Sequence, residues 1–396
     1  MAIASEANHS VVGCADIACS TTTRVSSFKS LSFLDRFLAI WIFLSMAIGI
    51  ILGYFVPDLP RALQKGEFVG VSIALCVGLL IMMYPILCKV QYETLPLILQ
   101  ARSLWIHLAF SIVLNWIVAP LFMVGLAWAF LPDQPELREG LILVGVARCI
   151  AMVLIWTNLA SADLPYCAML VALNSLLQIA LFAPFSILYI NIISHPSTNV
   201  TISYSTVATS VAVFLGIPLA AAVVTRLSLF RLLGESGYAV FIKWISPFSL
   251  LGLLFTIIVL FACQSANIVR QVVAVCRVAA PLIIYFLVIF TFTMAVCRYM
   301  GRWGNAVNVV SATAESDEVT AKRARRKAEW GYGRSTTQAL TAASNNFELA
   351  IAVAVAAYGV GSKQALAATV GPLIEVPVLL GLVEVAKWLR RRWNWE

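Results

Sequence analysis

The chain has 396 residues, 61% of them hydrophobic and 12% charged, with a formal net charge of +8 and a mean hydropathy of +0.92. Soluble domains are nearer half apolar and a quarter charged, so a soluble globular fold is excluded. The apolar residues fall in runs of about 20, the length that crosses a hydrocarbon core, and the expectation is a single all-α polytopic membrane unit.

In chain order, residues 1–34 come first. They are polar, rich in Ser and Thr, and lack the apolar core of a signal peptide, so they read as a disordered cytosolic tail. A transporter-sized unit at 35–390 follows, with ten apolar spans at 35–56, 67–88, 105–131, 140–160, 166–193, 205–225, 241–264, 278–299, 338–358 and 366–388. The connections are mostly short, and several carry Pro: Pro57, Pro60, Pro132, Pro135, Pro165 and Pro196. The exception is a loop at 302–337 containing KRARRK. It reads as a solvated cytosolic loop that fixes topology and touches anionic lipid, not as a nucleic-acid site. Residues 391–396 form a short C-terminal tail.

Orientation follows from the cations. With the ten spans alternating, twenty of the 27 Lys and Arg lie on the side of the N-terminus and six on the other, and Arg148 lies inside span four. The excess of cations puts both termini in the cytosol. That face is common to plasma and vacuolar membranes; the plasma membrane is the expectation and the vacuolar membrane the alternative.

Spans four and five, GVARCIAM then LVALNSLLQIAL, echo spans nine and ten, TAASNNFELAIAV then ATVGPLIEVPVLL. In each pair a polar-centred helix precedes one with polar groups close together, Asn174 and Gln178 in one, Gly371 and Glu375 in the other. Five spans per half give the halves opposite topology, an arrangement of secondary transporters.

Ionisable residues inside membrane spans are costly and mark function. They are few here: Arg148, Glu348, Glu375 and, close to a span end beside Lys387, Glu384. Glu348 follows Ser344, Asn345 and Asn346, whose short polar side chains compete for backbone hydrogen bonds and invite a break in span nine. Asn345 and Glu348 are three apart, which on a continuous helix places them on one face. Cys149, Met152 and Trp156 have the spacing of one helical face in span four, and Arg148 then points about 100° away. A buried Arg pairs with a carboxylate or with carbonyl ends, and Glu375 is the carboxylate at hand. The nine cysteines have no CxxC pair, and three scattered histidines make no metal cluster. No nucleotide or cofactor fingerprint occurs in a suitable context, so the chain reads as a non-enzyme without cofactor, driven by an ion or substrate gradient.

The stretches VGVARCIAMVLIWTNLA, LVALNSLLQIALFAP, ASNNFELAIAVAV and GPLIEVPVLLGLVEVA strongly resemble the arsenite efflux permeases of the yeast-type arsenical-resistance family, in the bile acid/arsenite/riboflavin transporter superfamily. The resemblance covers roughly residues 31–390. It implies two inverted five-helix repeats, broken and crossed helices four and nine, and export of arsenite, and in some members antimonite, in exchange for protons. It implies that Cys149 is the essential thiol and Glu348 the essential carboxylate. Soft thiolate suits a soft arsenic centre, and a single thiol keeps the site reversible. Met152 adds a second soft contact, and Asn174, Ser175, Gln178, Asn345 and Asn346 are the candidates for bonding the substrate's hydroxyls. Glu375 is the second candidate for proton coupling. The partners implied are arsenite, protons and the lipid bilayer, with no obligate protein partner. A sodium-coupled organic anion symporter of the same superfamily is the alternative, and sodium-dependent uptake distinguishes it. A receptor or scaffold is a third reading, identified by ligand binding without flux.

Overall fold

The computed structural model describes residues 37–90, 92, 104–150, 152–194, 202–270, 272–306, 330–393 and 395. The expected N-terminal tail, most of the basic loop, and positions 394 and 396 of the C-terminal tail lie outside the described residues.

The elements are α1 Leu38–Phe55, α2 Asp58–Leu63, a two-residue hairpin of β1 Glu67–Phe68 and β2 Val71–Ser72, α3 Ile73–Cys88 and α4 Leu104–Phe130. There follow α5 Pro135–Val146, α6 Met152–Leu159, α7 Leu164–Ile187, α8 Tyr204–Val211, α9 Ile217–Arg270, α10 Val272–Ala306, α11 Tyr332–Ala343, α12 Phe347–Tyr358 and α13 Lys363–Arg392. Among the described residues, five helical stretches are long and apolar enough to cross a membrane, and α1, α3 and α12 are shorter apolar helices. The protein is thus an all-α polytopic membrane protein, with one correction. The expected second span opens on the small hairpin, and its helix starts only at Ile73, where Ser72 accepts a bond from the Leu75 amide.

Local signals explain the boundaries. Asp163 caps α7 by accepting from the Tyr166 amide, Asn346 caps α12 through the Leu349 amide, and Ser362 caps α13 through the Ala365 amide. The helical stretch Tyr204–Ser265 has 62 residues, about three bilayer thicknesses at 1.5 Å per residue. It is interrupted by a kink at Gly234, at φ 68° and ψ −174°. That backbone region is open essentially to glycine alone. The kink falls between residues 205–225 and 241–264, the bounds of the sixth and seventh apolar spans of the sequence.

Two groups of helices result. In one, α1 and α3 pack along α9; in the other, α4–α7 and α10–α13 pack together, and α8 touches both α7 and α12. The loop after α4 is tied to α10 by an ion pair between Asp133 and Arg277. The hydrogen bonds from the Arg277 guanidinium pull the Asp133 carboxyl down to about 2. At the opposite end the C-terminal tail folds back. Arg298 of α10 lies over Trp393 at 4.2 Å and Trp395 at 5.2 Å, and Trp395 meets the Tyr332 ring edge-on.

Candidate functional site

Two helices are interrupted in mid-course, and the interruptions meet. Between α5 and α6 the chain leaves the helical region at Ala147 (φ −72°, ψ 112°); between α11 and α12 it does so at Ser344 (φ −87°, ψ 145°). The extended segments lie antiparallel and bridge at Arg148 and Asn345. The Ser-Asn-Asn run produces the break that its side chains invite: Asn345 Nδ2 donates to the carbonyls of Val144 (2.7 Å) and Ala147 (3.2 Å), and Asn346 caps the next helix. The Asn346 amide donates across the crossing to Ala147 O at 3.1 Å.

Breaking two buried helices leaves carbonyls and amides without intrahelical partners. Arg148, fully buried, serves the carbonyl ends. Its guanidinium donates to Gly145 O at the end of α5, to Ala342 O at the end of α11 (3.5 Å), and to the Tyr285 hydroxyl (3.1 Å). A cation where two helix C-termini converge also opposes their dipoles. Glu375 serves the amide side. One of its carboxylate oxygens accepts from Ser344 Oγ (2.6 Å) and from the Asn345 amide (3.3 Å). Of the two partners open to a buried Arg, carbonyl ends and a carboxylate, Arg148 takes the carbonyl ends, and Glu375 is engaged elsewhere. Each residue stabilises a different set of broken-helix ends, because carbonyls need a donor and amides an acceptor.

Cys149 follows Arg148 in the extended segment and is 1% exposed. The reading of Cys149, Met152 and Trp156 as one helical face is corrected, since α6 begins at Met152 and the 100° step does not apply before it. The same holds for Asn345 and Glu348: Asn345 precedes α12, while Glu348 is in its first turn. Met152 is partly buried at the start of α6.

Helix α7 lines the crossing. Gln178 Oε1 accepts from the Arg148 amide at 2.6 Å, which sets the height of Gln178 at the break. Ser175 spends its hydroxyl on Val171 O at 2.7 Å within its own helix, so it offers no free donor. The amides differ. Asn174 Nδ2, Gln178 Nε2, Asn346 Nδ2 and Asn345 Oδ1 are all buried without a hydrogen-bonding partner among the described residues. Buried amides are seldom left so, and four at one crossing make a set of three donors and one acceptor open to a small polar molecule. Tyr285 was not legible beforehand: in PLIIYFLVIFTF it reads as one more membrane aromatic.

Gly371 brings α13 against the start of α12. A Cβ there would lie 1.7 Å from the Phe347 ring. Gly371→Ala is expected to cost about 1–3 kcal/mol of stability, the usual penalty of overpacking. A lowered unfolding temperature in detergent, relieved by Phe347→Leu in the same chain, checks this.

An all-α membrane protein whose two discontinuous helices cross at unwound, polar segments has the architecture of a secondary transporter. The family model of the sodium bile acid symporters matches residues 76–271. The chain is 42% identical to the arsenical-resistance protein Acr3 of Corynebacterium glutamicum over 93% of both chains. It is 28% identical to Acr3 of Alkaliphilus metalliredigens, over 91% of this chain and 94% of that one, and 30% identical to an uncharacterized transporter of Synechocystis, over 90% and 89%. The chain belongs to the Acr3 family of arsenical-resistance proteins.

Proposed function

We propose that this protein exports trivalent arsenite, as neutral As(OH)3, in exchange for protons, and carries antimonite by the same chemistry. The observation that carries the proposal is the setting of Cys149: one buried thiol in an unwound segment, at a crossing where Asn174, Gln178, Asn345 and Asn346 hold amide atoms without partners. The resistance function named for the Acr3 relatives agrees with it.

In this reading the Cys149 sulfur displaces one hydroxyl of As(OH)3. An As–S bond forms, an As–O bond breaks, and the thiol proton leaves with the hydroxyl as water. A soft sulfur suits a soft arsenic centre, and one thiol keeps the bond reversible. The amide nitrogens of Asn174, Gln178 and Asn346 donate to the remaining hydroxyls, Asn345 Oδ1 accepts from one, and Met152 adds a soft wall. Glu348 takes the coupling proton, and Glu375 holds the broken segment in register through Ser344 and Asn345. The bent stretch Tyr204–Ser265 counts as two spans and each broken helix as one. The chain then has ten spans in two inverted halves of five, with both termini in the cytosol of a plasma-membrane protein.

The experiment is arsenite content in cells that lack their own exporter, with and without this chain. Expression is expected to lower arsenite content and raise tolerance to arsenite, with no tolerance to arsenate where arsenate reduction is absent. Removing external sodium should leave the flux unchanged. Unaltered arsenite content with the protein at the cell surface overturns the proposal, and loss of flux without sodium replaces it with the symporter alternative.

A further inference from the structure

A second set of unpartnered polar atoms lies away from the crossing, near the starts of α4, α7 and α11. Gln338 of α11 is fully buried, and its amide nitrogen donates to His107 O at 3.1 Å and to the Tyr166 hydroxyl at 2.6 Å. Its Oε1 is buried without a partner among the described residues, and so is Nδ1 of His107, which is 1% exposed. The imidazole is held by Trp330, stacked on it at 4.1 Å, and by Tyr166, edge-on at 5.9 Å. Buried polar atoms of this kind take up water. From His107 the polar groups continue along α4. His107, Ser111 and Asn115 stand at i, i+4 and i+8, and each is at most 1% exposed. Successive members are about 6 Å apart in helix rise, and one water bridging two oxygens spans about 5.6 Å. Asn115 Nδ2 donates to Ser111 O (2.8 Å) and Ser111 Oγ (3.1 Å), which leaves Asn115 Oδ1 buried without a partner among the described residues. Asn115 lies in a π-helical turn, Leu114–Val118, that touches α11. In the proposed orientation α4 and α11 both start at the cytosolic face, and Gln338 ties them at one height. A rise of about 12 Å from His107 to Asn115, and of about 9 Å from Gln338 to Ser344, then brings Asn115 level with the break.

We propose that His107 is the relay by which the coupling proton leaves the crossing for the cytosol, reached through waters held by Asn115, Ser111 and Gln338. It rests on the exporter reading and supplies the cytosolic half of the proton's route. Along the waters, each O–H bond that forms toward His107 is matched by one that breaks behind it. One proton moves, and nothing is oxidised or reduced. The imidazole takes the proton at Nδ1 and gives one up from Nε2. Tautomeric exchange through water then returns the ring to its first form. The charges around the ring suit passage. Arg334 of α11 lies over the Tyr166 ring at 5.7 Å and is close enough to His107 for its charge to act there. It opposes a lasting imidazolium, so the proton passes on. Asp163, 3.6 Å from Arg334 Nε, offsets part of that field. Tyr166 and, behind it, Cys297 of α10 are the other titratable groups there, and groups of these types carry no charge near neutral pH.

The test uses the full chain in everted vesicles, whose outer face is the cytosolic one, with a pH-reporting dye inside. Two fluxes are compared. Arsenite uptake against proton efflux from an acidic interior needs the relay. Exchange of labelled for unlabelled arsenite at equal pH does not, because no proton crosses. His107→Phe keeps the ring stacked on Trp330, and His107→Gln keeps hydrogen bonding, but neither side chain carries a proton. Each variant is expected to slow the proton-driven flux at least about 10-fold and to leave arsenite exchange close to the parental rate. Parental proton-driven flux in either variant overturns the relay and leaves the exporter reading standing. Equal loss of both fluxes assigns His107 to packing and overturns it too. Arsenite flux in the unsubstituted chain that ignores the pH difference removes the relay together with proton exchange, and no arsenite flux in that chain ends the exporter reading as well.

Discussion

Cys149→Ser is expected to cut arsenite export by at least about 10-fold, the factor that about 1.4 kcal/mol of lost substrate interaction sets, while the protein still reaches the membrane. The expectation follows from where the residue sits. Cys149 is not in a helix, and its segment is held by neighbours: Arg148 by three acceptors, and Asn345 by two carbonyls of the opposite strand. Ser is close to Cys in size, so the buried site keeps its shape. The change removes only the soft ligand, because a hydroxyl is a hard donor with little affinity for trivalent arsenic. Cys76, Cys88 and Cys297 are equally buried and Cys263 half-buried, but they sit within packed helices. Their Ser variants are expected to retain most of the flux. Arsenite efflux from loaded cells, normalised to surface protein, is the measurement. Parental efflux by Cys149→Ser removes the thiol from the mechanism.

How far the sequence disclosed this site depended on what kind of signal each part carries. The break in α11–α12 was legible because Ser344, Asn345 and Asn346 have a local mechanism for leaving a helix. The break in α5–α6 was not, on residues alone. Ala147, Cys149 and Ile150 have no such preference, and the segment opens because Asn345 and Asn346 of the other break capture Val144 O and Ala147 O. A tertiary cause of that kind leaves no local pattern, so helical spacing was applied to Cys149 where the chain is extended. For Arg148 the sequence left two kinds of partner open, a carboxylate or carbonyl ends, for a related reason. Charge made Glu375 a candidate beside carbonyl ends, and the choice falls to two helix ends and Tyr285, which only the tertiary fold brings together. The kink at Gly234 falls in the polar stretch between two apolar runs, where glycine and the drop in hydropathy are both visible in the sequence.

Glu348→Gln is expected to abolish uphill arsenite export driven by a pH difference. Exchange requires that a proton and arsenite exclude one another at a shared site, so that each can cross only by replacing the other. Glu348 is in the first turn of α12, whose capping residue Asn346 reaches across to Ala147 two residues before Cys149. It is close enough to Glu375 for their charges to interact, and Glu375 in turn holds Ser344 and the Asn345 amide. A proton gained or lost at Glu348 therefore changes the field at the crossing where amide atoms of Asn345 and Asn346 are buried without a partner among the described residues. A Gln side chain has nearly the same shape but stays neutral, so it fixes one half of the cycle permanently. One pH unit supplies about 1.4 kcal/mol per proton, enough to sustain about a 10-fold arsenite ratio across the membrane. Everted vesicles containing the parent chain should approach such a ratio under an imposed gradient. The Gln variant should not raise arsenite above the outside level and should no longer respond to pH, while Glu348→Asp, which keeps a titrating group on a shorter arm, should hold part of the gradient. If the Gln variant concentrates arsenite as the parent does, the coupling proton is carried elsewhere. Glu375→Gln is then the variant to compare, since Glu375 is a carboxylate buried at this crossing.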